Sequence, residues 1–157
     1  MVVTADHGES LGEGGRFGYL TSLHQPELRI PLWVHETQPT LRERRFARQI
    51  DVAPTIVAAL GPEPPFTWEG VPLQQELKAA TSVHFIQSMP HHVAVVNYDG
   101  STAYKLLVDR ATTQEQLFEI LGDPFELRDI LWEADVTRVT QMRTIVRRSL
   151  VGRDQAL

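Results

Sequence analysis

Asp6 and His7 stand side by side after a short apolar run, Val2-Val3-Thr4-Ala5, and Gly8 and Glu9 follow at once. A carboxylate beside an imidazole offers a hard oxygen donor and a borderline nitrogen donor. That pairing suits zinc or manganese, whereas a carboxylate-rich site with few nitrogens suits calcium. Two ligands complete none of these shells, so a cation here needs further donors. The competing reading is structural: a polar loop after a strand, with Asp6 capping a turn and His7 partly exposed. Adjacent residues of a strand point to opposite faces, so both side chains meet one ion only where the strand breaks. Gly8 permits that break, because glycine tolerates backbone angles that other residues avoid.

The elements that must position this pair are short. Residues 2–5 read as the end of a buried strand, too short to bury itself and in need of a sheet made elsewhere. Side chains that directly follow such a strand project from its carboxyl end, where ligand sites of open α/β sheets collect. Residues 8–27 are rich in Gly and polar residues and read as a long loop, and "LRIPLWVH" at 28–35 as a second strand, kinked or placed at an edge by Pro31. The Arg-rich stretch 37–48, with Arg42, Arg44 and Arg45, reads as a solvated surface connection. Asp51 is the expected N-cap of "VAPTIVAAL", with Pro54 in the first turn and Gly61 as the stop. The Pro-rich stretch "GPEPPFTWEGVPL" that follows reads as an irregular connection.

Beyond residue 90 the pattern changes. "HVAVVNY" and "AYKLLVD" flank "DGST" as a hairpin, and "QLFEIL" is the expected third strand. "DPFELRDIL" should hold a turn and a short helical stretch. Asp135 should cap a helix reaching about Leu150, with Val136, Val139, Ile145, Val146 and Val151 on one face. The His91-His92 pair reads as a solvated loop, and His35 and His84 as ordinary residues. The fold class is therefore α/β. It divides into part of an α/β domain over 1–75 and a small antiparallel subdomain with a C-terminal helix over 76–157.

Composition narrows the classes. The chain has 157 residues, 42% of them hydrophobic and 22% charged, as an ordinary globular domain does. The net charge of -5 argues against a nucleic-acid partner, which calls for a basic patch. The absence of cysteine removes disulfides, thiolate zinc sites and a cysteine nucleophile. No stretch approaches the roughly 18 apolar residues of a membrane span. No signal segment is legible either, so any export signal of the natural protein is expected outside this sequence.

Four segments together carry a resemblance. "TADHGESLGEGG" is similar to the late metal-binding motif of the sulfatase branch of the alkaline phosphatase superfamily, a branch that includes phosphoethanolamine transferases and lipoteichoic acid synthases. "FGYLTSLHQPELRIPLWV" at 17–34, "DVAPTIVAALGPEPPFTWEGVPL" at 51–73, and "YKLLVD" with "QLFEILGDPFELRDIL" at 104–109 and 116–131 resemble the segments that follow in that family, in the same order. The resemblance implies the C-terminal part of an alkaline-phosphatase-like sheet, followed by a small antiparallel sheet with a helix.

Residue by residue, the resemblance implies that Asp6 and His7 are the two late cation ligands and that Glu9 serves local hydrogen bonding. Tyr19 falls where the family carries a His or Lys against the sulfate or phosphate group. A phenol donates one hydrogen bond there but brings no positive charge. His24, five residues on, is the candidate substitute, although its position more often holds a Tyr. The implied cofactor is a divalent cation (calcium, zinc or manganese) in an incomplete site. The nucleophile and the early ligands of the family are not on this sequence, so the chain is expected to be inactive on its own. The implied partners are a sulfate or phosphate ester in the full-length protein, and either self-association or pairing with an N-terminal half. A phosphoethanolamine or other phosphate-ester enzyme, or a degenerate non-catalytic module, are the alternatives. Relatives are often exported or membrane-anchored.

Overall fold

The computed structural model describes the chain except residues 20–21, 37–39, 43, 78–80, 87–90 and 155–157, and gives 81–86 and 151–154 as backbone. It is a mixed α/β fold of small antiparallel sheets with a C-terminal helix. Two two-stranded ribbons come first. Strand β1 (Val2–Thr4) pairs with β4 (Leu32–Val34), and β2 (Ser10–Leu11) pairs with β3 (Phe17–Gly18), both antiparallel. Between them lies α1 (Gln25–Leu28), and α2 (Val52–Ala59) follows. A four-stranded sheet in the order β5 (Thr81–Ile86), β6 (His92–Tyr98), β7 (Ala103–Asp109), β8 (Glu115–Glu119) leads to α3 (Val136–Asp154).

The main core lies on one face of that sheet. Val93, Val95, Leu106 and Leu117 pack against Val139, Met142 and Val146 of α3. The other face is covered as well. Ala94 and Leu107 meet Leu23 and Leu28, and Val96 and Phe118 pack with Phe46. Burial on both faces explains why β6 shows four consecutive buried residues, Val93 to Val96, and not an alternation. Truncating Leu106, which has no exposed surface, should cost about 2–5 kcal/mol.

Local chemistry sets the ends of these elements. The β6–β7 turn closes on Asp99, whose Oδ1 accepts the backbone N–H groups of Ser101 at 3.0 Å and Thr102 at 2.9 Å. Asp135 caps α3 as expected, accepting from Thr137 N at 2.8 Å and Arg138 N at 3.3 Å. Arg138 then ties the helix back to the sheet, lying over the Tyr104 ring at 3.9 Å and reaching Asp99 Oδ2 at 3.3 Å.

Several expectations change. The strand at 2–5 finds its partner within the chain, since β4 returns against it. The loop at 8–27 contains a ribbon, a single 3-10 turn at Glu13–Gly15 and α1. The second strand is shorter than 28–35, because Leu28 ends α1 and Pro31, with no N–H to donate, delays pairing to Leu32. Asp51 stands at the N-cap of α2, but its side chain makes no capping hydrogen bond there. Its backbone is itself helical, in the 3-10 turn Gln49–Asp51, and its carboxylate instead binds Arg48 at 2.7 Å and Val71 N at 2.8 Å. Arg44 is not solvated. Its side chain is 7% exposed, 3.7 Å from Asp51, and it donates to the carbonyls of Val71 and Pro72. Residues 123–131 form turns without a helix. On α3, Met142 takes the central core position while Val136 faces solvent. The Val151 side chain lies outside the described residues, and β5 is a strand beyond those expected from the sequence.

Candidate functional site

Asp6 and His7 leave the end of β1 where the chain is tied down on both sides. Thr4 Oγ1 donates to Pro31 O at 2.9 Å, and Gln49 Nε2 donates to Ala5 O at 3.3 Å. The Gly8 N–H then donates to Glu27 O at 2.8 Å. A Cβ on Gly8 would run into the carbonyl of Pro26. Its φ is not left-handed, so glycine is required here for space and not for backbone freedom.

This anchoring orients the two candidate ligands. Asp6 Oδ1 accepts the backbone N–H of His7 at 3.0 Å, which leaves Oδ2 free. His7 Nδ1 lies 2.8 Å from Gly8 O. A ring nitrogen facing a carbonyl carries the proton, so Nε2 keeps its lone pair, the tautomer a metal ligand needs. Oδ2 and Nε2 are 3.9 Å apart, a span that two bonds of about 2.0–2.2 Å to one ion can bridge. The donor set therefore fits part of a divalent-cation shell. Among the described residues no cluster of three or more His, Cys, Asp or Glu completes it.

Tyr19 joins this pair. Its ring stacks on His7 with centroids 4.9 Å apart and planes 15° from parallel. His24 does not. It is buried, its Nδ1 is 2.8 Å from Glu126 Oε2, and its ring meets Phe118 edge-on. The anion contact expected of His24 is thus not brought beside Asp6 and His7. Glu9 is exposed and makes no side-chain hydrogen bond among the described residues.

Asp6 and His7 open on a cleft of about 1000 Å³ between the β1–β4 ribbon and the turn end of the four-stranded sheet. Its walls bring Arg29, Arg45 and Arg48 together with Ser101, Thr102 and Glu119. Arg48 is committed to Asp51, whereas Arg29 and Arg45 are exposed and without an ion pair among the described residues. The cleft thus sets these two guanidinium groups near the candidate ligand pair, an arrangement suited to an anionic ligand.

Behind the cleft wall lies a buried ionic group that the sequence reading did not single out. Lys105 Nζ is 2.6 Å from Glu126 Oε1, and neither side chain is exposed. Burial pushes the Lys105 ammonium below its usual value, against the pull of the Glu126 charge. Burial pushes the Glu126 carboxyl up, but hydrogen bonding from His24 and the charge of Lys105 outweigh it and hold the carboxyl below its usual range. Glu126 adopts a left-handed φ of 55°, rare outside glycine, and its carboxylate also accepts the Gln25 N–H at 2.9 Å. A sequence signal for this group existed. Lys105 shares the inward phase of β7 with Ala103 and Leu107, where an unpaired lysine is not tolerated.

No protein-family model matches the sequence. Solved structures do. A protein of Bacteroides thetaiotaomicron assigned to the sulfatases superposes with a TM-score of 0.69 at 14% identity, over 98% of this chain and 36% of its own. A 2-O GAG sulfatase superposes with a TM-score of 0.61 at 14% identity, over 99% of this chain and 36% of its own. The chain therefore spans about a third of the length of the sulfatases it matches, and over essentially its whole described length it has the fold of that portion of a sulfatase.

Proposed function

We propose that this chain is the late cation-binding portion of a sulfatase-like hydrolase acting on a sulfate ester. The observation that carries the reading is the preset geometry at the end of β1. There the His7 tautomer and the free Asp6 oxygen are fixed by local hydrogen bonds, in a fold shared with sulfatases. Asp6 and His7 would hold the divalent cation with donors from elsewhere in the full-length protein. Such a cation, when bound, neutralises charge on the oxyanion being transferred and aids deprotonation of the nucleophile. Tyr19, packed on His7, keeps the imidazole in place and offers a hydroxyl donor to the ester group. Arg29 and Arg45 supply positive charge along the cleft. The nucleophile and the remaining ligands come from the complementary portion of the protein, which is the partner this chain pairs with.

Aryl sulfate and aryl phosphate assays with calcium, manganese or zinc test the reading. The chain alone should give no turnover. Supplying in trans a polypeptide with the nucleophile-bearing portion of a sulfatase should give metal-dependent aryl sulfate hydrolysis that Asp6→Ala abolishes. Hydrolysis of the phosphate ester instead would move the assignment to the phosphate-ester enzymes. Turnover by the chain alone would overturn the division of labour.

A further inference from the structure

A second cavity lies at the opposite end of the four-stranded sheet, where β6 begins and β7 ends. It measures about 450 Å³ and shares no lining residue with the cleft of Asp6 and His7. That volume lies in the ordinary range of small-molecule sites, about 300–1,000 Å³. Its walls carry Arg16, Ser22, His24, His92, Gln114 and Gln116. We propose that this cavity is an oxyanion-binding site, in which Arg16, His24 and His92 take the charged group of a small ligand.

The donors are already oriented. His24 Nδ1 is committed to Glu126 Oε2, and a carboxylate only accepts, so that nitrogen carries a proton. The Nε2 atom is what remains for a ligand. His92 Nδ1 is buried with no hydrogen-bond partner among the described residues. An orphaned N–H is costlier to bury than a bare lone pair, so the proton of a neutral His92 belongs on Nε2, as a donor. Burial holds the His92 imidazole below its ordinary pKa and so keeps it neutral.

Arg16 supplies the fixed charge. Its guanidinium has no ion pair among the described residues and folds back over Gly14, where a Cβ would collide with it. The carboxylate on the wall, Asp109, is turned to its own loop. It accepts from Ala111 N at 2.8 Å and from the Thr112 hydroxyl at 2.7 Å. Ser22, Gln114 and Gln116 add neutral donors and acceptors of the kind that meet hydroxyl groups. The shared chemistry is a sulfate or carboxylate oxyanion, either free or carried on a sugar.

Nitrogen-15 spectra of the histidine rings test this, with sodium sulfate and glucose 6-sulfate titrated separately against chloride at matched ionic strength. Saturable shifts are expected at the ring nitrogens of His24 and His92. Arg16→Gln should weaken the binding about tenfold. Asp6→Ala should leave it unchanged. Tighter binding of the sugar sulfate assigns a saccharide site, and equal binding assigns a free-anion site. Absence of saturable shifts with both probes overturns the proposal. So does binding that Arg16→Gln leaves intact, or binding that Asp6→Ala abolishes.

Discussion

His24 Nδ1 and Glu126 Oε2 lie 2.8 Å apart although 102 positions separate the two residues. The contact fastens the start of α1 to the loop that follows β8. Lys105 closes the group from within the sheet, so three side chains on three segments share one buried carboxylate. Breaking a buried ion pair by removing one partner leaves an uncompensated charge and costs about 3–5 kcal/mol. Glu126→Gln should destabilise the chain by that order in urea unfolding. The double variant Lys105→Met with Glu126→Gln should recover much of the loss. A double variant no more stable than Glu126→Gln alone would show that the lysine charge is not what the glutamate compensates.

Cation binding at Asp6 and His7 should be weak. Among the described residues Asp6 and His7 offer two donors and no larger ligand cluster completes the shell, which leaves the rest to water. Affinity should fall far below that of closed zinc sites in zinc-finger peptides, about 10–16 kcal/mol. Manganese titrated into the labelled chain should broaden the amide signals around Asp6 to Gly8 and the Tyr19 ring, which stacks on His7. Asp6→Ala and His7→Ala should each remove the effect. A tight stoichiometric site would mean that other residues complete the shell.

Acid should loosen the β6–β7 turn and its tie to α3. Backbone donation from Thr102, then from Ser101, with help from both hydroxyls, holds the Asp99 carboxyl well below its usual value. Hydrogen bonds likewise lower Asp109 and Asp135. A carboxyl whose folded value is depressed binds its proton less readily folded than unfolded. Its stabilisation is complete above the unfolded value, near 3.9 for Asp, and is lost as pH falls below it. Thermal midpoints should therefore hold steady above about pH 5 and drop steeply below about pH 4. Asp99→Asn should lower the midpoint at neutral pH and flatten the acid limb. An unchanged acid limb in that variant would contradict the assignment.

The β1–β4 ribbon should mediate association. Val3 and Trp33 face each other across it and are 52% and 51% exposed, and a two-stranded ribbon leaves an open edge on each side. Sedimentation velocity should show concentration-dependent association that Val3→Thr with Trp33→Thr reduces without changing the circular dichroism. Amides of β1 and β4 should exchange faster than those of β6 and β7, which are buried on both faces. A monodisperse monomer with equal protection in both sheets would show that the ribbon needs no partner.

What was legible in the sequence was local. The β6–β7 hairpin follows from two apolar runs around Asp99-Gly100, the start of α3 from Asp135, and the candidate ligands from an Asp-His pair at a strand end. Each depends on groups within a few positions of one another, where spacing alone determines which atoms meet. The structural neighbours bear out the sulfatase-like fold that the four segments implied. Tertiary structure alone decided the rest. It returned β4 against β1, folded Arg44 inward onto Asp51, and stacked Tyr19 on His7. It also turned His24 away from the ligand pair and onto Glu126. These contacts join residues distant in the chain, and no periodicity records them. A charged side chain reads the same in sequence whether solvated or buried, and only the packing around it supplies the partner that makes burial tolerable.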